Sequence, residues 1–175
     1  GPPFFVVATQ NPYEFEGTYP LPESQLDRFL LRTDMGYPDR QAERDLLRQH
    51  RDGEPVDHLQ PVLHASDVTR LQHRAREVKV TEAISDYVLD IVEATRVRGD
   101  IVLGASTRAA IGLYRAAQAT ALLDGRDYVV PDDVKGLAVQ ALAHRLIGKA
   151  GGVGAPTQAT ADAVREILRE IPVPS

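Results

Sequence analysis

Hydrophobic positions along this chain follow two different rhythms. Residues 4–8, Phe4-Phe5-Val6-Val7-Ala8, form a short β-branched and aromatic run bounded by proline and followed by polar Thr9-Gln10-Asn11. This pattern predicts a buried strand whose polar end lies at the carboxyl edge of a sheet, where α/β proteins bind ligands. Residues 29–34 read as a second strand-like piece, joined to the first by a loop with Gly17, Pro20 and Pro22 and a short helix around residues 23–28. A lone strand cannot pair its backbone. The reading therefore expects further strands ahead of position 4. After Met35-Gly36-Tyr37-Pro38 the apolar spacing becomes helical.

Pro38-Asp39 opens a helix predicted to about residue 50, with Leu46 and Leu47 on its inner face. Ser66 is the expected cap of a helix over 67–77, and Thr81 of another over 82–96, where Ile84, Tyr87, Val88, Ile91 and Val92 recur at helical spacing. Both are expected to bury one stripe. Residues 99–104 read as a loop. Ser106 then caps an Ala-rich helix over 107–123, closed by Asp124-Gly125. Residues 128–130 read as extended, and Pro131-Asp132-Asp133 starts a helix through His144-Arg145. A Gly-rich link over 148–154 leads to a last helix over 160–170, stopped by Pro172. The fold expected is mainly α: a helical bundle over residues 38–175, preceded over 1–37 by a small strand-containing remnant of an α/β core.

Composition narrows the function classes. The 175 residues are 43% hydrophobic and 26% charged, ordinary for a globular chain, and the net charge of −5 argues against a general nucleic-acid or anionic-membrane surface. Zero Cys removes disulfides, thiolate metal sites and a Cys nucleophile, and fits a reducing cytoplasm. No run approaches the roughly 18 to 20 apolar residues of a membrane span. The five His form neither a His-x-x-x-His pair nor a His-Glu-x-x-His motif, so no metal site is expected. The Arg-rich segment 70–79 lacks interleaved aromatics and reads as a solvated helix face.

Three residues could carry chemistry. Asn11, an amide at a strand end, can accept from a water and donate to a phosphate oxygen, although Asn-Pro is also a common turn signal. Arg28, in Asp27-Arg28-Phe29, is mounted where a guanidinium could reach across a subunit boundary toward a transferring phosphate; a salt bridge to Asp27 or Glu23 is the commoner fate. Arg108 stands in the first turn of a helix, against the dipole, and would gain from an anionic ligand there. A merely exposed arginine is the alternative.

The blocks Ala8-Thr9-Gln10-Asn11-Pro12, residues 16–29 from Glu16-Gly17-Thr18 to Asp27-Arg28-Phe29, Gly104-Ala105-Ser106-Thr107-Arg108, Pro131-Asp132-Asp133-Val134 and Ala143-His144-Arg145 resemble, in order and spacing, the C-terminal half of a MoxR-type AAA+ ATPase. The resemblance implies that residues 1–37 end an ATPase core and 38–175 form its helical lid. It further implies that Asn11 is the sensor 1 residue, Arg28 the arginine finger for ATP on an adjacent subunit, and Arg108 the sensor 2 arginine. For the complete protein it implies ATP and Mg²⁺ as cofactors and self-association into a ring. It also implies client proteins, metal-binding or von Willebrand factor A-type domain proteins among them, for chaperone-like remodelling or maturation.

The chain contains no Gly-x-x-x-x-Gly-Lys-Ser/Thr loop, and Gly148-Lys149-Ala150 reads as a linker. The acidic strand end that would hold metal is also missing from it. By itself the chain is expected neither to hydrolyse ATP nor to bind it tightly. A non-catalytic helical interaction module and a magnesium-chelatase-like motor subunit are the alternative readings.

Overall fold

The computed structural model describes residues 3–9, 21–51, 53–149 and 158–174. Seven α-helices run through these segments: α1 (Glu23–Leu26), α2 (Arg40–Gln49), α3 (Ala65–Glu77), α4 (Glu82–Val97), α5 (Thr107–Leu123), α6 (Pro131–Leu142) and α7 (Gln158–Glu170). One small sheet pairs β1 (Ile101–Leu103) antiparallel with β2 (Ile147–Gly148). The mainly helical fold expected from the sequence is the fold observed.

The core lies among α4, α5, α6 and α7. Thr81 caps α4 by accepting from the Ile84 amide at 3.3 Å, and the helix buries Ile84, Tyr87, Val88, Ile91, Val92 and Thr95. Ser106 caps α5 through the Ala109 amide, and α5 buries Ala109, Ala110, Gly112, Leu113, Ala116, Ala117 and Ala121. Small side chains let backbones approach closely, and α5 packs most extensively on α6. Val134, Ala138, Ala141 and Leu142 come from α6, and Ala163, Val164 and Ile167 from α7. Positive φ at Gly125 (77°) ends α5, as the Asp-Gly pair predicts.

Loops are fixed by charge and backbone bonds. Arg126 forks onto Asp133 with bonds of 2.8 and 2.6 Å, joining the end of α5 to the start of α6. Burial pushes the Asp133 carboxyl up, yet the hydrogen bonds from Arg126 and the Val130 amide outweigh it and hold the group below the ordinary carboxylate range. Lys79 and Tyr128 form an isolated parallel bridge beside the Gln118 amide, which donates to Val78 O at 2.8 Å.

Several local expectations are corrected. Residues 4–8 and 29–34 form no strand, Phe29 and Leu30 being a bend, because none of the described residues offers their backbones a partner ladder; Phe4 and Phe5 are exposed. Leu46 and Leu47 face outward, and neither α2 nor α3 buries a residue fully. His64, not Ser66, takes the cap position of α3, because the Asp67 carboxylate accepts from the His64 amide at 2.9 Å. The loop at 99–104 contains β1, whose Ile101-Val102-Leu103 suits a strand once Ile147 and Gly148 lie alongside. The helix from Pro131 ends at Leu142, and Ala143–Arg145 tightens into a 3₁₀ turn.

Candidate functional site

The chain folds so that three distant segments meet at one carboxylate. After α1 the backbone continues as a turn, with the Arg28 amide bonded to Gln25 O and the Phe29 amide to Leu26 O, both at 3.1 Å. This turn presents Asp27 inward and leaves Arg28 exposed, with no ion pair to any described residue. Asp27 Oδ1 accepts from Ser106 Oγ at 2.9 Å, and Oδ2 accepts from Arg108 Nη1 at 3.2 Å. Arg145 Nε lies 3.8 Å from Oδ1.

A second layer holds the turn from below. Arg145 Nη2 donates to Phe29 O at 2.6 Å, and its Nε lies 3.3 Å from His144 Nε2. His144 Nε2 is also 3.1 Å from Phe29 O. Protonated at that nitrogen, His144 donates to the carbonyl; unprotonated there, it accepts from the guanidinium. The Arg32 amide donates to Gln140 O, extending the seam onto α6. Thr160 on α7 donates to Ala143 O at 3.0 Å and braces the 3₁₀ turn from the far side.

The two arginines on Asp27 differ in kind. The Arg145 side chain is 2% exposed, that of Arg108 61%. Burial pulls the Arg145 guanidinium below its ordinary value; Asp27 opposes this and the nearby Arg108 adds to it. An arginine nonetheless stays charged, so Asp27 is the countercharge that makes its burial tolerable. Room for it comes from Gly112: a Cβ there would lie 3.2 Å from Arg145 Nη1 and 3.4 Å from Leu30 Cδ1.

Arg108 is aimed by α4. Thr95 Oγ1 accepts from the Ala105 amide at 2.9 Å and Arg96 Nε donates to Ala105 O at 2.9 Å, so the residue before the Ser106 cap is gripped on both sides. Gly104 permits this approach, since a Cβ on it would stand 2.7 Å from the Arg96 Cα. Ser106 then serves twice, accepting from the Ala109 amide and donating to Asp27.

Of the residues singled out from the sequence, Arg28 and Arg108 lie on adjoining segments, linked through Asp27. Asn11 falls outside the described residues. Asp27 goes to Ser106, Arg108 and Arg145, so the bridge to Arg28 considered above is not formed with it. Asp27, His144 and Arg145 stood in the sequence only within motif blocks, Asp27 also as a possible partner of Arg28, and none carried a role at the site. A signal existed for the last: Gly112 interrupts an otherwise strong helix former, a choice that costs roughly 1 kcal/mol against Ala and asks for a reason. Lys149, read as part of a linker, leaves β2 with its amide bonded to Asp100 O.

Comparison with known proteins decides the family. Residues 1–31 match the model of the ATPase family associated with various cellular activities (AAA), and residues 93–171 match the AAA lid domain. The chaperone MoxR1 of Mycobacterium tuberculosis is 43% identical over 83% of this chain and 40% of its own length. The chain belongs to the MoxR-type AAA+ ATPase family. YeaC, an uncharacterised protein of Bacillus subtilis, is 46% identical over 98% of the chain and 53% of its own length. Among solved structures, a candidate ATPase from Cytophaga hutchinsonii superimposes with a TM-score of 0.86 at 34% identity, covering 100% of this chain and 56% of that one. The chain thus spans about half the length of the curated relatives it matches. Among the described residues no helix is long and apolar enough to cross a membrane.

Proposed function

We propose that this chain supplies the phosphate-sensing and trans-acting cations of a MoxR-type motor that hydrolyses ATP in a cytoplasmic ring to remodel client proteins. Arg28 is the finger offered to ATP on a neighbouring subunit, and Arg108 is the lid arginine that senses nucleotide. Asn11 positions the attacking water, a role resting on its sequence motif. Residues 1–37 belong to the ATPase core and 38–175 to the lid.

The observation that carries this reading is the junction at Asp27. It sets Arg28, exposed and without an ion pair to any described residue, next in sequence to the carboxylate that holds the exposed Arg108 on the first turn of α5. Arg108 already holds one carboxylate oxygen at 3.2 Å, and a phosphate oxygen presents the same acceptor with more charge. The cationic groups fit an anion, which bound ATP would supply as its phosphates. They do not fit Mg²⁺: the described residues contain no group of three His, Cys, Asp or Glu placed around a common point. The metal and the phosphate cradle belong to parts of the complete protein that this chain's sequence does not contain.

In the full-length protein, Arg28→Ala should abolish most turnover while ATP binding is largely kept, because the finger acts on charge that develops in the transition state. Arginine fingers are worth about 10³ to 10⁵ in kcat, so even the low end is measurable by a phosphate-release assay. Undiminished turnover in a variant that still forms rings would overturn the assignment.

A further inference from the structure

We propose that Asp27 is a positioning residue that occupies Arg108 as a stand-in for phosphate and exchanges it for the nucleotide when the site fills. The proposal rests on the reading of Arg108 as a phosphate-sensing group.

The geometry distinguishes a permanent partner from an exchangeable one on the same carboxylate. Asp27 is held on one side by Arg145, which is locked in the interior against Phe29 O, and by the Ser106 hydroxyl. Neither contact depends on Arg108. On the other side, Arg108 reaches Asp27 through a single nitrogen, Nη1 to Oδ2 at 3.2 Å, with most of its side chain in solvent. A single bond from an exposed arginine is weak, and among the described residues Asp27 is its one ion-pair partner, which leaves the rest of the fork able to engage a second acceptor. Losing Arg108 leaves Asp27 neutralised by Arg145 and therefore in place. A terminal phosphate carries more charge than a carboxylate and accepts bidentately, so it wins the competition when it comes within reach.

Asp27 is also the residue immediately before Arg28. The same carboxylate that retains the lid arginine therefore fixes the turn from which the finger projects. Because Arg145 and Ser106 keep that turn in place when Arg108 leaves, the finger stays set while the lid arginine exchanges.

The test is a double-variant cycle in the full-length protein, measured as the dissociation constant of a slowly hydrolysed ATP analogue with Mg²⁺. Asp27→Asn removes the competing charge and should tighten binding about two- to fivefold, the range an exposed ion pair supports. In an Arg108→Ala background the same change should have no effect. Unchanged or weaker binding on Asp27→Asn, or equal tightening in both backgrounds, would overturn the exchange while the sensor reading stands. If Arg108→Ala alone left affinity unchanged, the sensor reading would fall, and the exchange with it. Because Asp27→Asn deprives buried Arg145 of its countercharge, Ser106→Gly provides a second arm. It keeps a tolerated cap residue and every charge while loosening Asp27. It should tighten binding in the same direction by a smaller factor, again only when Arg108 is present.

Discussion

His144 shows how a side chain outside the proposed chemistry can report on the site. Burial lowers its pKa from the ordinary 6.5, and the adjacent Arg145 cation lowers it further, against the hydrogen bond to Phe29 O. The folded state therefore holds His144 neutral where the unfolded chain would already bind a proton. The unfolded state binds more protons below about pH 6.5, so stability is intact above that value and falls as the pH drops toward the depressed folded pKa. The limiting slope is about 1.4 kcal/mol per pH unit for one proton. Denaturant unfolding of the chain between pH 7 and pH 5 should show this loss, and His144→Gln should flatten it. A slope unchanged by the substitution would place the titrating group elsewhere.

Gly104 makes an equally specific demand on α4, β1 and α5. The Cβ of an alanine there would meet the Arg96 backbone at 2.7 Å, and backbone cannot swing aside as a side chain can. Gly104→Ala should cost about 1 to 3 kcal/mol, the usual range for overpacking, seen as a lowered denaturation midpoint. The start of α5 should shift with it, because Ala105 is clamped by Thr95 and Arg96. Helices whose signals are local were legible in the sequence: Thr81 and Ser106 caps, Pro131, Asp124-Gly125 and the stripe from Ile84 to Val92 all mark what the structure contains. What depends on distant partners was not. Leu46 and Leu47 have helical spacing, yet spacing does not reveal whether anything packs against that face. Ile101-Val102-Leu103 becomes a strand only because Ile147 and Gly148 arrive alongside. At the candidate site, Arg108 was legible because its place against the helix dipole is a local anomaly. Arg145 and Asp27 were not, since burial of one charge beside another is written in the tertiary fold.

Across the described molecule, the helical bundle and residues 27–32 are held by unequal means. The bundle is held by contiguous apolar packing among α4, α5, α6 and α7, whereas residues 27–32 are held mainly by polar contacts: Asp27 to Ser106, Phe29 O to Arg145, the Arg32 amide to Gln140 O. Few buried apolar contacts and exposed backbone hydrogen bonds define a segment that opens locally at low cost. Amide hydrogen exchange should therefore separate them, with the Arg32 amide exchanging roughly a hundredfold or more faster than that of buried Leu113. Equal protection at both positions would mean that the segment opens only when the bundle does. Phe29 meets His144 and Arg145 across 115 and 116 residues of sequence. Closing so long a loop brings no reward until its receiving surface exists. That surface is the 3₁₀ turn, which Thr160 braces only after α7 has docked. The carboxylate seam at Asp27 should therefore form after the bundle of α4 to α7 and open before it.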